Sequence, residues 1–373
     1  MRYLSLISLP VFFCSFASYA QEENTPGSPA VIAYYAGRVN QADSFAIEKI
    51  THIIFSFCHL KGDELYANNA VDTARIERLV SLKYRNRNLK VMVSLGGWGG
   101  CASCSEIFSS GSGRKHFSRS VKKMLEYFHA DGIDLDWEYP AVKNYPGHAF
   151  KPEDKRNFTL LVKKLRKILG PAYEISFAAG GFSTYLENAV EWNKVMPLVN
   201  RVNLMSYDLV SGYDTVTGHH TPLYAQPGHK ESVDYAVHFL DSLGVPKNKI
   251  AIGAAFYARI WEKVDSSRAG LFHGGHFLRS VSYNRFQAEL SSDSGFMYHW
   301  DALSQAPYLY HPQKRWFVTF DDSSSVAGKT RYVIDRHLNG IMFWQLSEDK
   351  YQNGLLDVID TVKRRWLDQQ GKQ

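Results

Sequence analysis

Three carboxylates stand at alternate positions in one short acidic segment. Residues 131–140 read Asp-Gly-Ile-Asp-Leu-Asp-Trp-Glu-Tyr-Pro, so Asp134, Asp136 and Glu138 occupy every second position. Side chains on a β-strand alternate between its two faces, so a strand here would present all three carboxylates on one face. Neighbouring carboxylates repel one another and are costly to enclose, so a proton, hydrogen bonds or a cation must compensate them. The row therefore predicts acid–base chemistry or a metal site, with a solvated acidic edge strand as the structural alternative.

The elements that would position this row follow an alternating pattern. Short apolar, β-branched or aromatic runs alternate with amphipathic helical stretches, which is typical of a parallel sheet with crossover helices. The eight strand-like runs are Val31–Tyr35, His52–Cys58, Lys90–Leu95, Gly132–Tyr139, Glu174–Ala179, Arg201–Tyr207, Lys249–Phe256 and Gly340–Leu346. Helical stretches between or after them include Thr73–Tyr84, Lys115–His129, Asp154–Leu169, Glu231–Leu243 and Leu355–Trp366.

Eight strand–helix units predict an α/β fold, the closed (β/α)8 TIM barrel. In such barrels the active site lies at the carboxyl ends of the strands. This context disfavours the acidic edge strand. A metal site is also disfavoured, because no histidine-rich partner motif accompanies the row, and we predict neither a metal nor a cofactor.

The interval between the seventh and eighth strands is too long for one helix. The seventh strand ends near Arg259 and the eighth begins near Gly340. Residues 261–322 are rich in Gly, Ser, Tyr, Phe and His and include the strand-like Arg315–Phe320. They predict a small α+β insertion, followed by a helix over Ser325–Leu338. A long disordered loop is the alternative, which the frequency of apolar and aromatic residues disfavours.

The start of the chain resembles a signal peptide. Arg2 precedes the apolar stretch from Leu4 to Phe16, and small residues lead to a predicted cleavage after Ala20. The apolar stretch is too short to span a bilayer, and no later segment has the roughly 18 apolar residues that a membrane helix needs. We therefore expect a secreted or periplasmic protein without a membrane partner. Lipid attachment at Cys14 is a disfavoured alternative, since the usual small residues do not precede it.

The remaining domain boundaries and the charge follow from composition. Residues 21–29 are predicted to be an N-terminal extension, and residues 30–373 a catalytic barrel that contains the insertion. The net charge of +6 is mild, and the basic runs lie in amphipathic helical patterns. We infer no nucleic-acid partner and expect a monomer.

Several motifs together resemble glycoside hydrolase family 18, the chitinase family. Its signature Asp-Gly-x-Asp-x-Asp-x-Glu is complete in residues 131–138, and Ser94–Trp98 resembles its third-strand motif. Met205–Asp208 resembles the sixth-strand motif, while Ala255–Arg259 and Phe343–Gln345 resemble the seventh- and eighth-strand site segments. The resemblance covers nearly all of the chain after the signal peptide. It implies hydrolysis of β-1,4-linked N-acetylglucosamine in chitin and its oligosaccharides, the expected partners of this chain.

The resemblance also implies a role for each carboxylate. Glu138 would be the general acid that protonates the leaving oxygen and then the general base for water. Asp136 would hold the acetamido group of the sugar, with Asp134 sharing its proton. The nucleophile would be the acetamido oxygen, which forms an oxazolinium ion. The distance of roughly 6.5 Å between alternate strand residues lets Asp136 address the acetamide while Glu138 addresses the scissile oxygen.

Further site residues are implied in the same way. Tyr207 would be catalytic, donating a hydrogen bond to the acetamide. The substrate-binding set would be Tyr34 and Ser94, which hydrogen-bond Asp134; Met205; Asp208, Arg259 and Tyr257, which contact the same sugar ring; Trp344, beneath the reacting sugar; and Trp98, a stacking platform for the next sugar.

Cys101 and Cys104 form a Cys-x-x-Cys in the segment after Trp98. In an exported chain a structural disulfide is the favoured interpretation. Zinc would need two more ligands that the sequence does not identify, and free thiols remain a third possibility. Cys58, on the second predicted strand, is most simply a buried apolar residue.

Three functions fit the sequence. A chitinase is favoured over a relative that cleaves the core of N-glycans, because such relatives usually lack the Trp-Glu-Tyr-Pro run at Trp137 to Pro140 and because the insertion favours a polymer groove. A chitin-binding lectin on the same barrel is disfavoured by the intact Glu138.

Overall fold

A computed structural model describes residues 27–145 and 147–371, so the predicted signal peptide and Cys14 lie outside the described residues. The described strands are β1 (Ala30–Tyr35), β2 (His52–Lys61), β3 (Glu64–Tyr66), β4 (Lys90–Gly96), β5 (Gly132–Asp136), β6 (Glu174–Gly180), β7 (Arg201–Met205), β8 (Ile250–Ala255), β9 (Tyr257–Glu262), β10 (His276–Ser282), β11 (Met297–Asp301), β12 (Ala306–His311), β13 (Trp316–Thr319) and β14 (Gly340–Trp344).

The α-helices cover the outside of the barrel and the connections between strands. In the described residues they are α1 (Ala70–Ser81), α2 (Cys104–Ile107), α3 (Gly111–Phe128), α4 (Asp154–Leu169), α5 (Ser183–Asn188), α6 (Trp192–Val195), α7 (Val233–Ser242), α8 (Phe286–Glu289), α9 (Ser323–Asp335) and α10 (Leu355–Gln370). No helix within the two described ranges is long and apolar enough to cross a membrane.

Eight parallel strands close into a barrel. Their order is β1-β14-β8-β7-β6-β5-β4-β2, and β1 also pairs with β2, which closes the ring. The (β/α)8 TIM barrel predicted from the sequence is therefore confirmed, with β3 added as a short antiparallel hairpin on β2. In the parallel register Ser94 lies opposite Asp134, and Asp134 lies opposite Ser176. This register places polar side chains of three neighbouring strands at one level of the barrel interior.

The two faces of β5 differ as the alternating pattern predicts. Ile133, Leu135 and Trp137 belong to the apolar layer between the strands and the helices. Trp137 is almost completely buried, with its ring near those of Phe108 and Phe158. The strand ends earlier than the predicted Tyr139. It stops at Asp136, and the backbone turns away through a positive φ of 71° at Tyr139.

The insertion between β8 and β14 is built around an antiparallel sheet. Its strand order is β10-β9-β13-β12-β11, and the short helix α8 packs with it, which confirms the α+β character. One apolar cluster includes Ile260 and Val318, and a second includes Trp261 and Phe317. Because β9 begins at Tyr257, only Phe256 separates the barrel from this sheet.

The amino-terminal end of the barrel, here called the lower end, holds a compensated group of charges. His52, Glu174 and Arg201 are the first residues of β2, β6 and β7. The Glu174 carboxylate accepts hydrogen bonds from Arg201 and from the His52 ring, the latter at 3.2 Å. Burial would raise the pKa of Glu174, but the His52 hydrogen bond and the Arg201 charge lower it to about 2.

Candidate active site

Asp134 lies in the barrel interior and is completely buried. Its Oδ2 accepts hydrogen bonds from Tyr34 Oη and Ser94 Oγ, each at 3.0 Å. Its Oδ1 accepts from Ser176 Oγ at 2.5 Å and from Asn203 Nδ2 at 3.2 Å. Burial raises the pKa of Asp134, and the hydrogen bonds from Ser176, Ser94 and Tyr34 oppose that rise. Four hydrogen-bond donors therefore stabilise this buried carboxylate.

Two of these four donors were not predicted. Tyr34 and Ser94 were assigned to Asp134, whereas Ser176 and Asn203 were not. Both missed residues are polar positions inside otherwise apolar strands, β6 and β7. That pattern is the signal that could have identified them, because buried polar side chains in a core require partners.

Asp136 is the next inward residue on β5 and has a different environment. Its side chain is buried, and its Oδ1 has no hydrogen-bond partner among the described residues. Burial raises the pKa of Asp136 well above the usual carboxyl range, with further increases from the negative charges of Glu138 and Asp134. Asp136 is not one of the four donors that hydrogen-bond Asp134. Of Asp134 and Asp136, Asp136 is therefore the one whose carboxyl pKa is raised by burial and by neighbouring negative charge without opposing hydrogen bonds.

Glu138 lies two residues beyond the end of β5 and is half-buried. Burial raises the pKa of its carboxyl group to about 7, and the negative charge of Asp208 adds to the rise. A hydrogen bond with the Tyr139 side chain acts in the opposite direction. A carboxyl group with this pKa can donate a proton near neutral pH and can take one back, which is the requirement for a general acid–base.

Asp208 follows β7 and is held as an anion. Its Oδ1 accepts hydrogen bonds from Tyr257 Oη at 2.8 Å and Arg259 Nε at 2.5 Å. Nδ1 of the buried His220 is 3.4 Å from the same oxygen. Burial would raise the pKa of Asp208, but the hydrogen bonds from His220 and Arg259 lower it below the usual range. The predicted Asp208, Tyr257 and Arg259 therefore come together, with His220 as a partner that the sequence interpretation missed.

Aromatic and sulfur-containing side chains line the same end of the barrel interior. Tyr34, Met205, Tyr207, Tyr257 and Trp344 share one apolar cluster, which brings five predicted site residues together. The Tyr207 hydroxyl is 3.8 Å from the sulfur of Met342. Burial raises the pKa of Tyr207, as do the charges of Asp136 and Asp208, so this phenol stays a hydrogen-bond donor.

Trp344 stacks on Phe57, a contact that the sequence did not predict. The two ring centroids are 5.5 Å apart, and the ring planes differ by 10°. Both residues adjoin a cis peptide bond, Ser56–Phe57 and Trp344–Gln345. The half-buried indole of Trp344 therefore has a second aromatic ring as its support.

Trp98 lies apart from this interior cluster. Its side chain is 62% exposed, and its ring centroid is 5.3 Å from that of Tyr145. The preceding Gly97 has a φ of +80°, and a Cβ atom there would be 2.3 Å from the Phe57 ring. The segment that presents Trp98 thus crosses directly over Phe57, and only glycine fits this close approach.

The two cysteines after Trp98 are close together. The sulfurs of Cys101 and Cys104 are 1.92 Å apart, and their Cα atoms are 5.2 Å apart. Cys58 is buried in the core, as predicted. Among the described residues, no group of three or more His, Cys, Asp or Glu side chains could hold a metal ion.

Comparison with known proteins identifies the family. The sequence profile of "Glycosyl hydrolases family 18" matches residues 17–349. The chain is 32% identical over 300 residues to Chitinase A1 of Niallia circulans, covering 74% of this chain and 43% of that protein. It is 26% identical to Chitinase B of Serratia marcescens, covering 89% of this chain and 83% of that protein.

A solved structure with a similar fold is that of a family 18 N-acetylglucosaminidase from Paenibacillus barengoltzii. The TM-score is 0.81 at 33% identity, over 90% of this chain and 99% of the other. The family profile covers most of the chain, and the acidic row lies at the carboxyl-terminal end of a complete barrel. The chain belongs to glycosyl hydrolase family 18.

Proposed function

We propose that this protein is a chitinase, which hydrolyses β-1,4 bonds between N-acetylglucosamine residues of chitin and chito-oligosaccharides. The observation that carries the proposal is the pair Asp136 and Glu138, whose pKa values are both raised by burial and by neighbouring negative charge. Two relatives named chitinases support the same substrate class. The pair lies where barrel enzymes place their catalytic groups.

Glu138 is the proposed general acid–base. With a pKa of about 7 it is largely protonated in mildly acidic solution and can give its proton to the leaving glycosidic oxygen. The bond between this oxygen and the anomeric carbon then breaks, and Glu138 becomes a carboxylate. In the second step the carboxylate takes a proton from the water that attacks the anomeric carbon, the bond between that carbon and the acetamido oxygen of the intermediate breaks, and the acid is restored.

The proposed nucleophile is the acetamido oxygen of the substrate. Asp208 is engaged by Tyr257, Arg259 and His220, and Asp134 by its four donors, so neither carboxylate is free to attack. Asp136 and Tyr207 can instead orient and polarise the acetamide. Attack within the sugar gives an oxazolinium ion, gains the advantage of a preassembled reactant, and retains the anomeric configuration because two displacements occur at one carbon.

The remaining predicted residues fit the binding of a sugar chain. Trp344, supported by Phe57, offers a flat apolar surface for the reacting sugar. Asp208 and Arg259 provide charged hydrogen-bonding groups beside it. The exposed Trp98 can stack on a sugar beyond the cleavage point. The proposal also includes export through the N-terminal signal peptide and a disulfide bond between Cys101 and Cys104.

The decisive experiment is the time course of products from chitin hexasaccharide. A chitinase that cuts internally releases di-, tri- and tetrasaccharides early. Early release of N-acetylglucosamine alone would instead favour an N-acetylglucosaminidase, the activity named for the Paenibacillus barengoltzii structure. Absence of turnover would contradict both of these functions and favour the lectin or the N-glycan-cleaving alternative.

Two further measurements test the mechanism. Proton NMR of fresh products should show the β anomer, and a substrate with glucosamine on the non-reducing side of the cut should hardly react. An α-anomeric product, or comparable turnover of the glucosamine substrate, would contradict substrate assistance.

A further inference from the structure

A completely buried ion pair lies outside the group of catalytic carboxylates. Lys329 Nζ on α9 is 2.6 Å from Oδ2 of Asp321, and both side chains are 0% exposed. Burial lowers the pKa of Lys329, and the charge of Asp321 opposes that effect. Complete removal of two charges from water is costly, and a well-packed apolar pair would often be equally stable. Stability alone is therefore a weak explanation for this pair.

The ion pair is connected to the ends of two barrel strands. Asp321 Oδ2 accepts a hydrogen bond at 3.0 Å from the backbone N–H of Ala255, the last residue of β8. Lys329 Nζ donates to Thr221 Oγ1 at 2.5 Å, and the Thr221 hydroxyl donates at 3.2 Å to the backbone carbonyl of Ser206, which follows β7. One buried ammonium group thus links the ends of β7 and β8.

These two strand ends lead directly into residues of the candidate site. Ser206 immediately precedes Tyr207 and Asp208, while Ala255 lies two residues before Tyr257. Tyr257 donates to Asp208, so the two segments also meet in the site itself. A shift of either strand end would change the distance between the groups that hold the sugar ring. Misplacement of a reacting group by about 1 Å can cost up to about a hundredfold in rate.

We propose that Lys329 and Asp321 are positioning residues for the hydrolytic reaction, acting through Thr221 to fix Tyr207 and Asp208 relative to Tyr257. The inference rests on the proposed chitinase function. Neither residue touches the substrate. The pair sets the distance between the segment that carries Tyr207 and Asp208 and the segment that carries Tyr257, where the insertion leaves the barrel. The contact between barrel and insertion therefore affects the rate of the reaction.

The first test compares Thr221→Val with Thr221→Ser. The valine variant keeps the shape and the Lys329–Asp321 pair but removes the hydroxyl that reaches the Ser206 carbonyl, whereas serine keeps that hydroxyl. We expect the valine variant to lose roughly 10- to 100-fold in kcat on chitin hexasaccharide, with a smaller change in KM. The serine variant should recover most of the loss. Wild-type kcat and KM in a folded valine variant would overturn the inference.

The second test neutralises the pair. Lys329→Met combined with Asp321→Asn removes both charges and leaves an acceptor for the Ala255 N–H. The matched control is Glu174→Gln combined with Arg201→Lys, which breaks the ion pair at the lower end but keeps a positive charge at position 201, where the Arg201 charge lowers the pKa of Asp134. We expect both double variants to fold, as judged by circular dichroism, and only the first to lose kcat. Equal kinetic losses in both, at matched thermal stability, would overturn the inference.

The same assays separate this inference from the proposed function. If the wild-type protein does not turn over chitin hexasaccharide, the proposed function is wrong. If the wild type is active and either the folded Thr221→Val variant or the folded neutralised variant matches it in kcat and KM, only the positioning inference is wrong. Should the neutralised variant fail to fold, the Thr221 pair decides the question.

Discussion

The two ends of the barrel enclose charges in opposite ways. At the lower end Glu174 is paired with Arg201 and His52, and its pKa is lowered to about 2. At the carboxyl-terminal end of the barrel strands, here called the upper end, Asp136 and Glu138 lie close to other carboxylates, and their pKa values are raised. Burial raises carboxyl pKa values at both ends, so burial alone does not distinguish them. The difference is the sign of the neighbouring charge, which gives an ion pair at one end and carboxyl groups with raised pKa values at the other.

The largest effect on turnover is expected from Glu138→Gln. The amide has the same shape but cannot donate the required proton, so kcat should fall roughly 10²- to 10⁴-fold while oligosaccharide binding persists. Initial rates and isothermal titration with chitin hexasaccharide measure the two quantities. Undiminished hydrolysis by this variant would contradict the assignment of the upper end as the catalytic end.

The two tryptophans sharpen the comparison within the upper end. Trp344→Ala should lower kcat/KM by roughly 10- to 100-fold on all substrates, because a large apolar surface under the reacting sugar is lost. Trp98→Ala should reduce activity on insoluble chitin more than on short soluble substrates, because Trp98 is largely exposed and is not a member of the apolar cluster that contains Trp344. An equal loss on both substrates in the Trp98 variant would favour a packing role.

A smaller effect is expected from pH. Glu138 must be protonated to act as an acid, so kcat/KM should fall above about pH 7, by about tenfold per pH unit. This alkaline limb of the pH–rate profile reports the apparent pKa of the interacting pair Asp136 and Glu138. In Asp208→Asn the limb should move to lower pH, because the negative charge that raises the pKa of Glu138 is gone. A limb that moves upward would contradict the proposed electrostatic coupling.

The smallest effect on turnover is expected from Glu174→Gln, at the lower end. The variant should keep wild-type kcat but lose about 1–3 kcal/mol in free energy of unfolding, since Arg201 loses its charged partner. The folded-state pKa of Glu174 is depressed, so its contribution is present above the unfolded pKa of about 4.3 and is lost as pH falls through about 2. Urea unfolding at several pH values should show the variant and the wild type converging in that window. A loss of kcat in this variant would contradict the purely structural role assigned to the lower end.

The fold was predictable because its signals are local. Each of the eight apolar runs corresponds to a barrel strand, and the alternation along β5 placed Asp134 inside and Trp137 outside. Strand ends were less predictable. The turn after Asp136 depends on a positive φ at Tyr139, for which the sequence carries no glycine signal.

The partners of the site residues were the least predictable part. Phe57 beneath Trp344, His220 beside Asp208 and Asn203 beside Asp134 are separated in sequence by 287, 12 and 69 residues from the groups they contact. Such contacts follow from strand order and register, which one sequence does not specify. The resemblance to family 18 supplied the candidate site residues, and the structure adds the residues that contact them.

The junction at Phe256 limits how this architecture can be altered. Tyr257 and Arg259 belong to the first strand of the insertion, yet they bind Asp208 at the end of a barrel strand. Excising the whole insertion to obtain a minimal barrel would therefore delete two of the three groups that hold Asp208. A shortened version would have to keep β9 and supply a new neighbour for it. In this chain the barrel and β9 of the insertion must therefore be engineered as one unit.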